Sequence, residues 1–187
     1  MKLNGTDEEN KIILDMINKF STDKFDIDQF GFVYNTGKKN KETKDSPKSS
    51  IFTMKINSAV DSPDSINYTI VLTYSDKHET HQEVVYSETS KDAGGGATST
   101  PPDAKLIYVT ISPYGSKMCK TKIVFIDKQG KEYEKTMTPE EILIHELIGH
   151  AIPILESWNG DAISRENEVR LQLNMDLRKT EEDHGSF

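Results

Sequence analysis

The 187-residue sequence predicts an α+β fold in a single domain, on three observations. A capped amphipathic helix opens the chain, short period-two segments fill the middle, and a buried helix followed by a second helical pattern closes it. At the start, Thr6 stands three residues before Glu9 in a capping box, and Ile12, Ile13, Met16, Ile17 and Phe20 then recur at helical spacing. In the middle, Ile51 to Ile56, Ile66 to Tyr74, Glu83 to Tyr86, Leu106 to Ile111 and Lys122 to Ile126 read as strands of a small antiparallel sheet. Asp127 to Gly130 is a turn signal, so Glu132 to Glu134 should complete a hairpin. Two polar stretches, about 37–50 and about 90–103, predict flexible surface loops; the first is rich in lysine, and the second holds Gly94, Gly95, Gly96, Pro101 and Pro102. Near the end, Thr138 is an N-cap with Pro139 at the first helical position and Glu141 three residues after the cap. The helix that follows carries Ile142, Leu143, Ile144, Leu147 and Ile148, apolar nearly all round, and should end or kink near Pro153.

Composition narrows the function. A net charge of -8 argues against a nucleic-acid partner and against an anionic membrane, since both contacts are driven by Lys and Arg neutralising phosphates. The local exception, Lys38, Lys39, Lys41, Lys44 and Lys48, has no interleaved aromatic residues to stack on bases and reads as a solvated loop. Cys119 is the only cysteine, so an intrachain disulfide or a cysteine-rich zinc knuckle is out of reach and any metal must be held by His and carboxylates. Gly94 to Gly96 are followed by no GxxxxGK[ST] pattern, which weakens a nucleotide reading. No twenty-residue apolar run and no hydrophobic leader is visible, so a soluble protein is expected, acting in the cytoplasm or after secretion.

The chemistry-bearing constellation lies on the buried helix. His145, Glu146, Leu147, Ile148, Gly149 and His150 spell HExxxH, one residue longer than the HExxH in which two histidines share a helical face and the glutamate serves as base. On an ideal α-helix the two imidazoles would be about 500° apart, roughly 140° out of register. A π-type turn at Leu147 to Gly149 would restore register, and Gly149 tolerates the distortion. A lone histidine on an apolar helix is usually a core residue. Two histidines and a glutamate within six residues, in a chain with five histidines, point instead to a zinc site.

A catalytic zinc takes three protein ligands and leaves one position open. The second helical pattern, from about Asp161, places Ile163, Glu166, Arg170, Leu173 and Leu177 near one face. Glu166 is the expected third ligand, with Glu168 as the competing carboxylate and His184 in reserve. A Glu166 to Arg170 surface pair is the plainer alternative. Asn167 is placed to cap or orient, and Arg170 to steady a ligand or an oxyanion. His78 and His81 lie in a polar segment and read as surface residues.

Two resemblances attach to these residues. HELIGH is similar to the HELLGH motif of dipeptidyl peptidase III, a zinc exopeptidase with the longer spacing. From Thr138 to about Arg178, HEL...HA, a Gly-containing loop, Glu166-Asn167-x-x-Arg170 and a later Leu177-Arg178 resemble the effector-type zinc metallopeptidases, which include type III secreted peptidases acting on host MAP kinases and domains at the ends of Rhs-type toxins. That family has HExxHA, so the inserted residue is a departure. The resemblance implies a zincin-like domain with its metal-site region at 138–178, His145, His150 and Glu166 as zinc ligands, Glu146 as general base, and a protein or peptide substrate. It also implies substrate lying along a sheet edge, at Leu106 to Ile111 or Lys122 to Ile126; Tyr108 and Tyr114 are candidate oxyanion donors, with a packing or surface tyrosine as the plainer reading of either. The competing expectation is a non-catalytic zinc-binding module, or a degenerate peptidase relative with a structural metal site.

Overall fold

The computed structural model describes residues 1–61, 68–79, 85–86, 94–101, 105–117, 122–157 and 160–179. A short strand, β1 (Lys2–Leu3), precedes helix α1 (Asp7–Phe20). Both halves of the Thr6–Glu9 capping box form, and α1 buries Ile13, Met16, Ile17 and Phe20 on one face. The next elements, β2 (Asp23–Ile27) and β3 (Val33–Lys39), pair antiparallel, so the first polar stretch begins as strand rather than loop. Helix α2 (Ser50–Asp61) then occupies the segment whose Ile51 to Ile56 run reads as a strand. The apolar residues here satisfy both periods over six positions. Extending the window settles it, because Phe52, Ile56 and Ala59 fall on one helical face and are buried there.

The main sheet has the order β1-β4-β8-β7, built with β4 (Thr69–Tyr74), β7 (Gly96–Ser99) and β8 (Leu106–Ile111). It corrects the expected antiparallel sheet. β1 and β4 are parallel, β4 and β8 are parallel from Thr69↔Leu106 to Tyr74↔Ile111, and only β7 runs antiparallel, on the outside of β8. Parallel partners need a long crossover, which the chain between Tyr74 and Leu106 supplies. Their burial agrees: Ile70, Val71 and Leu72 are consecutive buried residues, as are Val109, Thr110 and Ile111, the mark of strands covered on both faces. β7 falls inside the second expected loop. Two further strands, β5 (His78–Glu79) and β6 (Val85–Tyr86), form a separate antiparallel pair.

A second sheet has the order β10-β9-β11, from β9 (Ile123–Ile126), β10 (Glu132–Lys135) and β11 (Leu177–Arg178), all antiparallel. The hairpin at Asp127 to Gly130 forms as expected, with Gly130 at φ 80°. Both strands expected to receive substrate, β8 and β9, are flanked on each side by a paired strand, so neither offers a free edge.

The remaining helices position the site. One composite helix consists of α3 (Pro139–Ile144), a π segment (His145–Ala151) and α4 (Ile152–Leu155); α5 (Ala162–Gln172) follows, with the Asp161 side chain accepting from the Ile163 and Ser164 amides at its N-cap. The result is a mixed α+β fold whose core joins α1, α2 and the main sheet to Ile142, Leu143, Ile144, Leu147 and Ile148 of the composite helix. Among the described residues no helix is long and apolar enough to cross a membrane.

Candidate metal centre

The composite helix starts where the sequence predicts. The Thr138 hydroxyl accepts from the Glu141 amide, and the Glu141 carboxylate accepts from the Thr138 amide at 3.1 Å, closing the capping box. Six residues later the hydrogen-bond register widens: His145–Ala151 is π-helical, and the Ile152 amide donates to the carbonyl of Leu147, five residues back. The distortion spans seven residues, more than the single turn expected at Leu147 to Gly149. Pro153 follows directly; it has no amide to donate, so an α ladder would in any case break at this point.

The widened turn brings His145 and His150 together. Their Nε2 atoms are 3.2 Å apart, with the rings perpendicular at 90° and their centroids 4.8 Å apart. Gly149 makes a close approach possible on the other side, since a Cβ there would lie 3.0 Å from the Ala162 Cβ at the start of α5. Gly149→Val is therefore expected to destabilise the fold by about 1–3 kcal/mol through overpacking. Urea denaturation measures this, and an unchanged midpoint would show that α5 yields without cost.

Glu166 takes a different place from a third ligand on the Nε2 side. Its Oε2 lies 2.8 Å from His145 Nδ1, the opposite edge of the ring from the atom that faces His150. Burial pushes the Glu166 carboxyl up, but the His145 hydrogen bond and the charges of His145, Arg170 and Arg178 outweigh it and hold the group at about 2. The carboxylate is thus ionised, and two groups meet the Nδ1 edge of His145: Glu166 Oε2, which can only accept, at 2.8 Å, and Arg178 Nη1, which can only donate, at 2.9 Å. The other Glu166 oxygen, Oε1, accepts from Arg170 Nε at 2.6 Å, and Arg178 donates to Oε2 at 3.2 Å.

This is one end of a buried ion network. Arg170 Nη1 donates to Glu141 Oε1 at 3.0 Å and to the Asp176 carbonyl at 3.2 Å, and its guanidinium lies 5.0 Å from the centre of the Phe125 ring. Lys135 approaches the same Glu141 oxygen from the rim at 2.8 Å. Two buried carboxylates, Glu141 and Glu166, thus face two buried guanidiniums, Arg170 and Arg178, so charge balance is met within the protein. Asn167 orients a neighbour: its side chain exchanges two hydrogen bonds with the Arg178 backbone, each at 2.8 Å, and so ties β11 to α5.

Glu146, the expected base, is buried and faces β7. Thr98 Oγ1 donates to its Oε2 at 2.6 Å, and a Cβ on Gly96 would stand 2.7 Å from its Oε1. Among the described residues no group of three or more His, Cys, Asp and Glu side chains is gathered that could hold a metal. Glu168 is exposed on α5, away from the histidine pair; His81, Cys119 and His184 lie outside the described residues. Tyr108 sits in β8 opposite Ser99 and Val71, and Tyr114 is exposed in the turn after β8.

No protein-family model matches this chain, and no curated protein or solved structure matches it.

Thr98 and Gly96 are the residues that motif reading passes over, and Arg178, part of the resemblance, has no role there until its contact with Glu166 is seen. Thr98 and Gly96 sit in a stretch that looks like a glycine-rich loop, and only their pairing with β8 turns them toward the helix. For Glu141 the capping box was legible; its second oxygen, bound to Arg170, was not.

Proposed function

We propose that the protein is a zinc-dependent metallopeptidase with a zincin-like arrangement, in which His145 and His150 hold the ion through Nε2 and Glu146 is the general base. The observation that carries this reading is the 3.2 Å separation of the two Nε2 atoms. Two nitrogens each ~2.0–2.1 Å from one tetrahedral zinc stand roughly 3.3–3.4 Å apart, so the pair is spaced for a shared ion. The Glu166 carboxylate on the Nδ1 edge of His145 matches the usual carboxylate–histidine arrangement around a metal, in which Nδ1 donates to the carboxylate and Nε2 faces the ion.

Glu166 accordingly acts here as the group that orients His145, and His184 is the residue to test as third protein ligand. The chemistry zinc supplies in such a site is polarisation of the scissile carbonyl and acidification of water toward a pKa of about 7. Glu146 takes the proton from the attacking water as the new C–O bond forms, and returns it to the leaving amine as the C–N bond breaks.

A second reading, a zinc-binding module without catalysis or a degenerate relative, draws on the histidine pair being the gathered ligand set among the described residues. Zinc titration of the full chain and hydrolysis of casein by the zinc-loaded protein separate the two. Glu146→Gln is expected to lower kcat by ~10²–10⁴-fold with zinc affinity unchanged. Zinc binding without hydrolysis would establish the second reading, and failure to bind zinc would sink both. Loss of zinc affinity in His184→Ala would assign the third ligand.

A further inference from the structure

Glu146 is gripped from one strand. β7 pairs with β8 in the register Thr98↔Val109, and its residues 96 and 98 share the face turned toward the composite helix. At residue 98 the hydroxyl donates to Glu146 Oε2 at 2.6 Å, a short charge-assisted bond. At residue 96 there is no side chain. A Cβ would come within 2.7 Å of both Glu146 Cγ and Oε1, and within 2.5 Å of Ile142 Cγ2. The two positions act on the two oxygens differently: one is held, and the other is left room.

We propose that Thr98 is a positioning residue for Glu146, and that Gly96 keeps the working oxygen clear. The inference rests on the reading of Glu146 as the general base and deepens it. With Oε2 fixed by Thr98, Oε1 is the atom that accepts the proton of the attacking water and hands it to the departing amine nitrogen. A glutamate has three rotatable side-chain bonds, and the π segment that carries it departs from the most rigid helical geometry. The hydroxyl therefore removes freedom that the helix leaves, and a base displaced by about 1 Å loses on the order of 10²-fold in rate.

The test compares Thr98→Val, which keeps the branched shape and deletes the hydroxyl, with Thr98→Ser, which keeps the hydroxyl. Both are measured as the zinc-loaded full chain on casein beside Glu146→Gln, with zinc affinity by chelator competition and the melting temperature as further readouts. Thr98→Val is expected to lower kcat by ~10–100-fold with KM and zinc affinity near those of the parent and a melting temperature lowered because the buried Glu146 carboxylate loses its donor, and Thr98→Ser to recover most of both losses. In protein labelled with carbon-13 at glutamate Cδ, the resonance that Glu146→Gln removes is expected to shift in Thr98→Val. Parental kcat in Thr98→Val, with activity lost in Glu146→Gln, would overturn this inference and leave the peptidase reading standing. Parental activity in Glu146→Gln would overturn the base assignment and this inference together, as would a parent without hydrolytic activity.

Discussion

Replacing Arg170 with leucine is expected to cost about 3–5 kcal/mol of folding free energy, the largest stability loss of any single substitution considered for this chain. The residue is fully buried and serves three partners: the Glu166 carboxylate, the Glu141 carboxylate and the Asp176 carbonyl. Leucine fills part of the volume and leaves two buried carboxylates short of a counter-charge, although Lys135 still reaches Glu141 and Arg178 still reaches Glu166. Those remaining contacts keep the expected loss within the range for a broken buried pair and not beyond it. Urea denaturation with linear extrapolation gives the value. A loss under about 1 kcal/mol, the scale of an exposed pair, would mean that water enters the network and screens it.

The second large effect concerns zinc. Glu166→Gln is expected to weaken zinc binding by ~10–100-fold, the usual consequence of altering the carboxylate behind a metal-binding histidine. Glu168→Gln should leave it unchanged, because Glu168 faces solvent on the other side of α5. Complete loss of zinc in Glu166→Gln would return Glu166 to the role of direct ligand. The same substitution has a pH signature in the metal-free protein. The Glu166 carboxyl lies at about 2 in the folded chain against an ordinary 4.5, so its ionised form stabilises the fold above about pH 4.5. That contribution fades as pH falls toward 2, and the glutamine variant, with nothing to titrate there, should show a flatter acid limb in its unfolding curve.

Local signals were the ones that sequence reading resolved. The capping boxes at Thr6 and Thr138, the turn at Asp127 to Gly130 and the inward face of α5 each depend on residues within a few positions of one another. The π segment was legible for an unusual reason: two histidines five apart can share a ligand only if the helix widens, so the spacing itself forecasts a backbone distortion. What depends on distant partners was not legible. Strand periodicity identifies β4 and β8 but carries no information about whether they run parallel, and the crossover between them looks like any other stretch of polar chain. Six residues of Ile51 to Ile56 are too few to separate a period of two from a period of 3.6, and the vote of Ala59 comes from outside that window. Glu166 was rightly expected to point inward, yet burial does not say which edge of an imidazole a carboxylate will meet. That edge is chosen by Arg170 and Arg178, two cations already competing for its oxygens.

Glu141 belongs to two structures at once. Through Oε2 it closes the first turn of the composite helix, and through Oε1 it is joined to Arg170 and hence to α5. The amide protons of the two helices should consequently exchange with solvent as one cooperative unit: an opening that frees α5 also strips the cap from the histidine-bearing helix, and fraying at Thr138 releases the guanidinium that steadies Glu166. Deuterium uptake at Glu141–Ile144 and at Glu166–Arg170 is therefore expected to follow a common opening free energy, so that the ends of the histidine helix are no looser than its middle.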